Sequence, residues 1–296
     1  RNRLFFSQVR DFHRFLWSGL PGRLAVELAT SWTILLTLSG IVMWWNGTRR
    51  KRGQWKLFRR QRPYIAWRNW HTVPAVWFSG LLLIILVTGL SFSKGAGSLW
   101  MGGAAAAGAF PEAYTDPPTY DPDAGERLGY QTLVERAAPP DAPDRITIVP
   151  NEGGSEVPMI FRGDRKNAPW TFSVTWIDPV SAAIVEQLAL SEMTVTAQAF
   201  VAAYSIHVGW IGGLWTKLLA TFLCLLLVFL VIRGVAMWWL RRPAGKSGFP
   251  RKDRQTLPKW FWALNAILWV VFPAVGVSLL AVLLFGLVTR VLRLSA

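Results

Sequence analysis

Cysteine is nearly absent. Cys224 is the single one among 296 residues, so no intrachain disulfide can form, and without a CxxCH motif there is no attachment point for c-type haem. Neither CxxC nor HExxH is present, which leaves no recognisable zinc site. Acidic residues are also scarce. Seventeen Asp and Glu stand against 32 Lys and Arg, a net charge of +15, and charged residues make up 17% of the chain, below the roughly 25% usual in soluble domains. No GxGxxG follows an expected strand, so the common nucleotide-binding fingerprint is missing. No acid–base dyad or nucleophile constellation argues for hydrolysis.

What the chain has is apolar length: 52% hydrophobic residues and 18 Trp. Three stretches, Leu24 to Trp45, Val73 to Ser93 and Leu218 to Trp239, reach the ~20 residues that cross a bilayer as a helix. A fourth, Trp260 to Val291, exceeds one span and contains Pro273, which predicts a tilt, a kink or an extension beyond the membrane. The charges divide by region. Residues 49–62 hold eight Lys/Arg and no acid, and 241–254 hold six against one Asp; these are cytoplasmic connections by the positive-inside rule. Residues 101–206 hold 14 of the 17 acids and six basic residues, and belong on the outer side. The basic segments face membrane lipid, and no soluble basic module remains to bind nucleic acid.

These patterns predict an interfacial segment at 1–22 on the outer side, followed by a transmembrane helix at 23–48. A basic cytoplasmic loop at 49–70 and a transmembrane helix at 71–94 come next. The outer domain covers 95–206, with a flexible Gly/Ala-rich exit at 95–108, a helix over 126–138, and strands near 146–149, 158–162, 170–177 and 182–188. Residues 190–206 read as helical and lead to a transmembrane helix at 207–240. A basic cytoplasmic loop at 241–258 and a C-terminal transmembrane helix at 259–296 complete the chain. The fold class expected is a mainly α integral membrane protein, with four transmembrane helices in internal repeats and a small α+β outer domain.

One stretch occurs twice. Residues 13–45 and 207–239 align without a gap at an offset of 194, with Met43-Trp44-Trp45 on Met237-Trp238-Trp239, Gly19 on Gly213, Gly40 on Gly234 and Arg23 on Lys217. The same offset lays His13 on His207, two of the three histidines, at equivalent places by the outer edge. A lone histidine at a membrane surface is usually an interfacial polar group. Two at matching positions can supply neutral imidazoles to opposite faces of one planar haem. A b-type haem held by His13 and His207 is therefore the sharper expectation. Gly19, Gly40, Gly80, Gly213 and Gly234 would remove bulk around it. Arg14, Arg23 and Lys217 would neutralise its propionates, or else snorkel to lipid phosphate.

His71 belongs to the opposite, cytoplasmic end, where this chain offers no second histidine. The repeat predicts a preceding helix related to residues 71–93, upstream of Arg1, as the source of the fourth ligand of an inner haem. Otherwise His71 anchors a helix start between Trp70 and Trp77. Arg233 precedes Arg241 by eight residues and so lies ~12 Å into its span. A charge there is costly; an inner haem propionate and the cytoplasmic headgroups are both within its expected reach. Glu27, four residues after Arg23, is expected to pair with it.

Several features now combine: the His13-Arg14 approach ending at Gly19 and Gly22, the repeated G-x-x-MWW exits with basic followers, the His71 helix ending in Val87-Thr88-Gly89, and the Trp176-Ile177-Asp178-Pro179 turn. Over nearly the whole chain they resemble the PepSY-associated transmembrane (PiuB-like) family of iron-regulated inner-membrane proteins, and more narrowly the FoxB type of ferric-siderophore reductase. In the turn, Ser181-Ala182-Ala183 replaces the Thr-Gly of the PepSY hairpin pattern. The resemblance implies a bacterial inner-membrane, multi-pass protein whose PepSY-like domain is periplasmic. It implies haem b, by the repeat two groups of which the inner one requires a histidine absent from this chain, and passage of electrons across the membrane to a ferric siderophore for iron release. The donor would be a quinone or a cytoplasmic reductase. Family members usually begin with a further histidine-bearing helix and a first PepSY-like domain, which here would precede Arg1. The alternative is a non-catalytic accessory protein that binds a siderophore or peptide through its outer domain and docks to a transporter.

Overall fold

A computed structural model describes residues 3–48, 55–57, 63–137, 146–149, 156–162, 173–242, 245 and 259–294. Most of both basic connections, and the first residues of the strand expected from Trp170, lie outside the described residues. The helices are α1 (Arg3–Phe15), α2 (Gly19–Thr48), α3 (Pro63–Leu90), α4 (Ala96–Ala106), α5 (Glu112–Thr115), α6 (Tyr130–Ala137), α7 (Val195–His207), α8 (Gly213–Arg241), α9 (Lys259–Val271) and α10 (Pro273–Leu294). Four strands, β1 (Ile146–Val149), β2 (Met159–Arg162), β3 (Ser173–Ile177) and β4 (Ile184–Ala189), form one sheet. The chain divides into two compact units, one of Arg1–Leu99 with Thr221–Ala296 and one of Trp100–Ala220.

Three helices have the length and apolarity of membrane spans: Gly19–Trp45, Tyr64–Leu90 and Gly213–Arg241, of 27, 27 and 29 residues. At 1.5 Å per residue each is roughly 40 Å long, more than the ~30 Å hydrocarbon core requires. Their outward faces are apolar as well: Leu36, Val42, Leu225, Val231, Ile232 and Val235 are all exposed. A helix that is apolar on its open face belongs in lipid. The expected fourth span is not one helix. It divides at Phe272, because Pro273 has no N–H to continue the ladder and disfavours helical geometry in the residue before it. Gly276 then passes under Trp269 so closely that a Cβ there would lie 2.0 Å from the indole Cδ1.

Within the first unit, α2 and α3 are antiparallel neighbours. Glu27, early in α2, reaches Gly95 just beyond the end of α3; at the other end Trp44 packs on Trp55 with ring centroids 4.5 Å apart. α3 packs in turn on α8 through buried Leu82, Leu223, Leu226 and Leu230 and the Phe78–Phe222 ring pair at 5.0 Å. Trp32 of α2 donates its indole N–H to the Ser278 hydroxyl of α10 at 3.1 Å. Such packing and polar contacts are what associate helices in lipid, where the hydrophobic effect between them is absent.

The second unit is a small α+β domain built on an antiparallel meander, β1-β2-β3-β4. Alternation along β3 buries both faces. Val174 and Trp176 point to a core with Ala113, Tyr120, Val157, Leu190, Met193 and Ala197. Ile177 points the other way, with Ile160 of β2, onto Leu133 and Ala137 of α6. The expected helix at 126–138 begins only at Tyr130, and the Leu128 N–H ahead of it donates to the Pro179 carbonyl at 2.8 Å. The β3–β4 turn is held by Asp178, whose carboxylate accepts from the N–H groups of Val180 at 2.7 Å and Ser181 at 2.9 Å. Those bonds, that of Ser181 foremost, hold the Asp178 carboxyl below its ordinary value. Ala182 occupies the left-handed region at φ +54°, the position where the PepSY pattern has glycine.

Candidate functional site

His71 lies in the third turn of α3, which begins at Pro63, inside the stretch expected to be loop. Its Nδ1 is 3.0 Å from the carbonyl oxygen of Leu230 on α8. A carbonyl can only accept, so Nδ1 carries the proton and the neutral ring keeps its lone pair on Nε2. This is the arrangement of a metal-ligating histidine, whose second nitrogen is oriented by an outer acceptor. Gly234, one turn beyond Leu230, leaves open the side from which a Cβ would meet the ring at 3.8 Å.

Arg233 belongs to the same seam. Its guanidinium carbon is 4.0 Å from the centroid of the Trp67 ring and 5.1 Å from that of Phe229. Trp67 precedes His71 by four residues and so shares its face of α3. The intramembrane cation is thus stacked on aromatic faces beside the histidine, with no carboxylate paired to it among the described residues. Sequence reasoning set His71 and Arg233 at one inner site; it missed the Leu230 carbonyl and the Trp67 ring that hold them.

The repeat extends to structure. In each copy a short helix ends at or just past the histidine, the chain breaks, and a span-length helix begins at a glycine of positive φ, Gly19 at +59° and Gly213 at +62°. Matching residues meet across each break, though by different contacts. A Cβ on Gly22 would sit 1.7 Å from the Phe15 oxygen, and at the matching pair Thr216 donates its hydroxyl to the Gly209 oxygen at 2.9 Å. His13 lies in the last turn of α1 with Arg14, in the first unit. His207 closes α7, in the second unit, where the Lys217 stem packs over Gly209. Within the first unit His13 and His71 occupy opposite ends of the α2–α3 pair.

Glu27 differs from expectation. It is 1% exposed and makes no ion pair with Arg23 among the described residues. Its two oxygens accept from the backbone N–H groups of Gly95 at 2.7 Å and Ala96 at 2.8 Å, at the start of α4. This explains why 95–108, expected as a flexible exit, forms a helix: the carboxylate satisfies its first donors and complements its dipole. Gly95 is needed for the approach, since a Cβ there would lie 2.5 Å from the Glu27 Oε1.

Among the described residues no three His, Cys, Asp or Glu side chains gather as a metal site. A haem held by one histidine from each of two segments asks for no such group. The His71 ring, with its free lone pair fixed by Leu230, fits that requirement.

A mainly helical chain with three span-length helices and a small α+β domain defines an integral membrane protein. The family model of the PepSY-associated TM region matches residues 1–241, and the chain belongs to that family. No curated protein matches it.

Proposed function

We propose that this protein is an inner-membrane b-type haem oxidoreductase that passes electrons from the cytoplasmic side to a ferric siderophore in the periplasm. The observation that carries the reading is the His71–Leu230 hydrogen bond, which prepares an imidazole nitrogen as a ligand inside a membrane helix. The equivalent settings of His13 and His207 in the two repeats support a second, outer site for which these residues supply both ligands. Arg14, Arg23 and Lys217 are the cations for propionates at the outer site, and Arg233 at the inner one. Bound haem would supply one-electron chemistry, cycling between ferric and ferrous iron.

The chain's own residues have defined tasks in this reading. Leu230 fixes the His71 tautomer, Trp67 and Phe229 hold Arg233 in place, and the apolar spans exclude water. Reduction of the siderophore iron weakens the hold of hard oxygen ligands on it, which gives the outward electron its use. The donor is a quinone or a cytoplasmic reductase, and the fourth ligand is a histidine beyond the three of this chain.

The test is spectroscopic. Protein reduced with dithionite under anaerobic conditions, then freed of reductant, is expected to reoxidise on addition of ferric siderophore and to yield ferrous iron to a trapping chelator. A haem-loaded protein that reduces no ferric chelate would overturn the siderophore assignment. Protein that carries no haem would leave an accessory role, with the outer domain binding a chelate or peptide.

A further inference from the structure

The α3–α8 seam continues below His71 to the membrane boundary, and positive charge accumulates on it. Tyr64 opens the α3 span and Arg241 closes the α8 span, with the Arg241 guanidinium carbon 5.7 Å from the Tyr64 ring centroid. Arg68 stands one turn from Tyr64 on the same side of α3 and is exposed. The Arg241 guanidinium of α8 thus lies against the Tyr64 ring of α3, Arg68 occupies the next turn of α3, and neither arginine pairs with a carboxylate among the described residues. Beside them Arg242 lies 3.4 Å over the Trp239 ring, and Trp238 and Trp239 are both exposed, as indoles are at the headgroup level.

Residues 49–62 and 241–254 carry the positive charge that sets membrane orientation, but orientation does not dictate that an arginine of α8 lie against a ring of α3. Cations without a carboxylate partner at a boundary of reduced dielectric attract an anion more strongly than they would in bulk water. Guanidinium matches phosphate geometry in a bidentate way that ammonium does not.

We propose that Arg68, Tyr64 and Arg241 form a binding site for the phosphate headgroup of an anionic phospholipid, whose acyl chains lie against the exposed Val231, Val235 and Trp238. The site does not depend on haem. Its ligand is a lipid rather than a free anion, because both helices enter hydrocarbon directly above it.

The experiment uses the whole chain, purified in neutral detergent and titrated with mixed micelles of phosphatidylglycerol or phosphatidylcholine. Bound lipid is read by native mass spectrometry and stability by the thermal midpoint. Phosphatidylglycerol is expected to stay bound and raise the midpoint, and phosphatidylcholine to do neither. Replacing both arginines, Arg68→Gln with Arg241→Gln, is expected to weaken the anionic lipid about tenfold, or ~1.4 kcal/mol. Arg10→Gln on α1 leaves its binding unchanged. The milder pair Arg68→Lys with Arg241→Lys, which keeps the charge should the Gln pair misfold, is expected to bind less lipid than the native chain. Undiminished phosphatidylglycerol binding in the Gln or the Lys pair, equal retention of phosphatidylcholine, or the same midpoint rise from inorganic phosphate alone would each overturn the site. So would capture of an acidic protein without retained lipid.

Discussion

The Nδ1 of His71 on α3 and the carbonyl oxygen of Leu230 on α8 are 3.0 Å apart, and that contact fixes the ring orientation and leaves Nε2 as its acceptor nitrogen. In the two-haem reading, His71→Ala removes the inner site and leaves the outer one. Haem per protein, measured as the pyridine haemochrome, is expected to fall by about half. His13→Ala is expected to produce a similar loss from the other site, and unchanged content in both variants would contradict the assignment of ligands.

Glu27→Ala would leave the N–H groups of Gly95 and Ala96 without acceptors in a buried setting. At roughly 1–3 kcal/mol for each of the two orphaned donors, the loss of stability is expected to be about 2–6 kcal/mol. It should appear as a lowered unfolding midpoint in detergent and as faster proteolysis between residues 91 and 100. Gly95→Ala is expected to have the same sign through overlap with the carboxylate, whereas Arg23→Ala is expected to leave proteolysis between residues 91 and 100 unchanged.

Ala182→Gly is expected to stabilise the outer domain. A left-handed non-glycine residue carries a cost of roughly 1–2 kcal/mol that glycine largely avoids. Hydrogen exchange of the amides between 177 and 184 is expected to slow by about fivefold for ~1 kcal/mol. Faster exchange would show that the turn does not prefer glycine.

Acid is expected to loosen the same turn. The carboxyl of Asp178 is held below its ordinary value chiefly by the Ser181 N–H, with the Val180 N–H adding to it. Its contribution is therefore complete above the unfolded value of ~3.9 and is lost as pH falls through the lower folded value. Amide protection across the turn should decline in that acid window in the native chain, and Asp178→Asn should remove the pH dependence along with part of the protection.

The spans and the repeated histidine helices were readable because hydropathy and spacing are local properties of the chain. The break at Phe272 was foreshadowed by Pro273, though as a kink rather than a division into two helices. Two contacts were beyond reach. The partners of Glu27 are backbone N–H groups 68 and 69 positions away, and the partner of His71 is a backbone carbonyl; neither has a side-chain signature. The nearest charge, Arg23, therefore drew Glu27 into a local pair that the structure does not form. The Gly/Ala composition of 95–108 read as flexibility, whereas at Gly95 the missing side chain serves close approach to a carboxylate.

The most direct measurement is the visible absorbance spectrum of the purified chain after expression with added haem precursor, beside the His13→Ala/His207→Ala variant. A Soret band with the sharp reduced bands of a six-coordinate b-type haem is expected, and it is expected to diminish in the double variant. A colourless native protein, or a spectrum unchanged by loss of both histidines, would contradict that expectation.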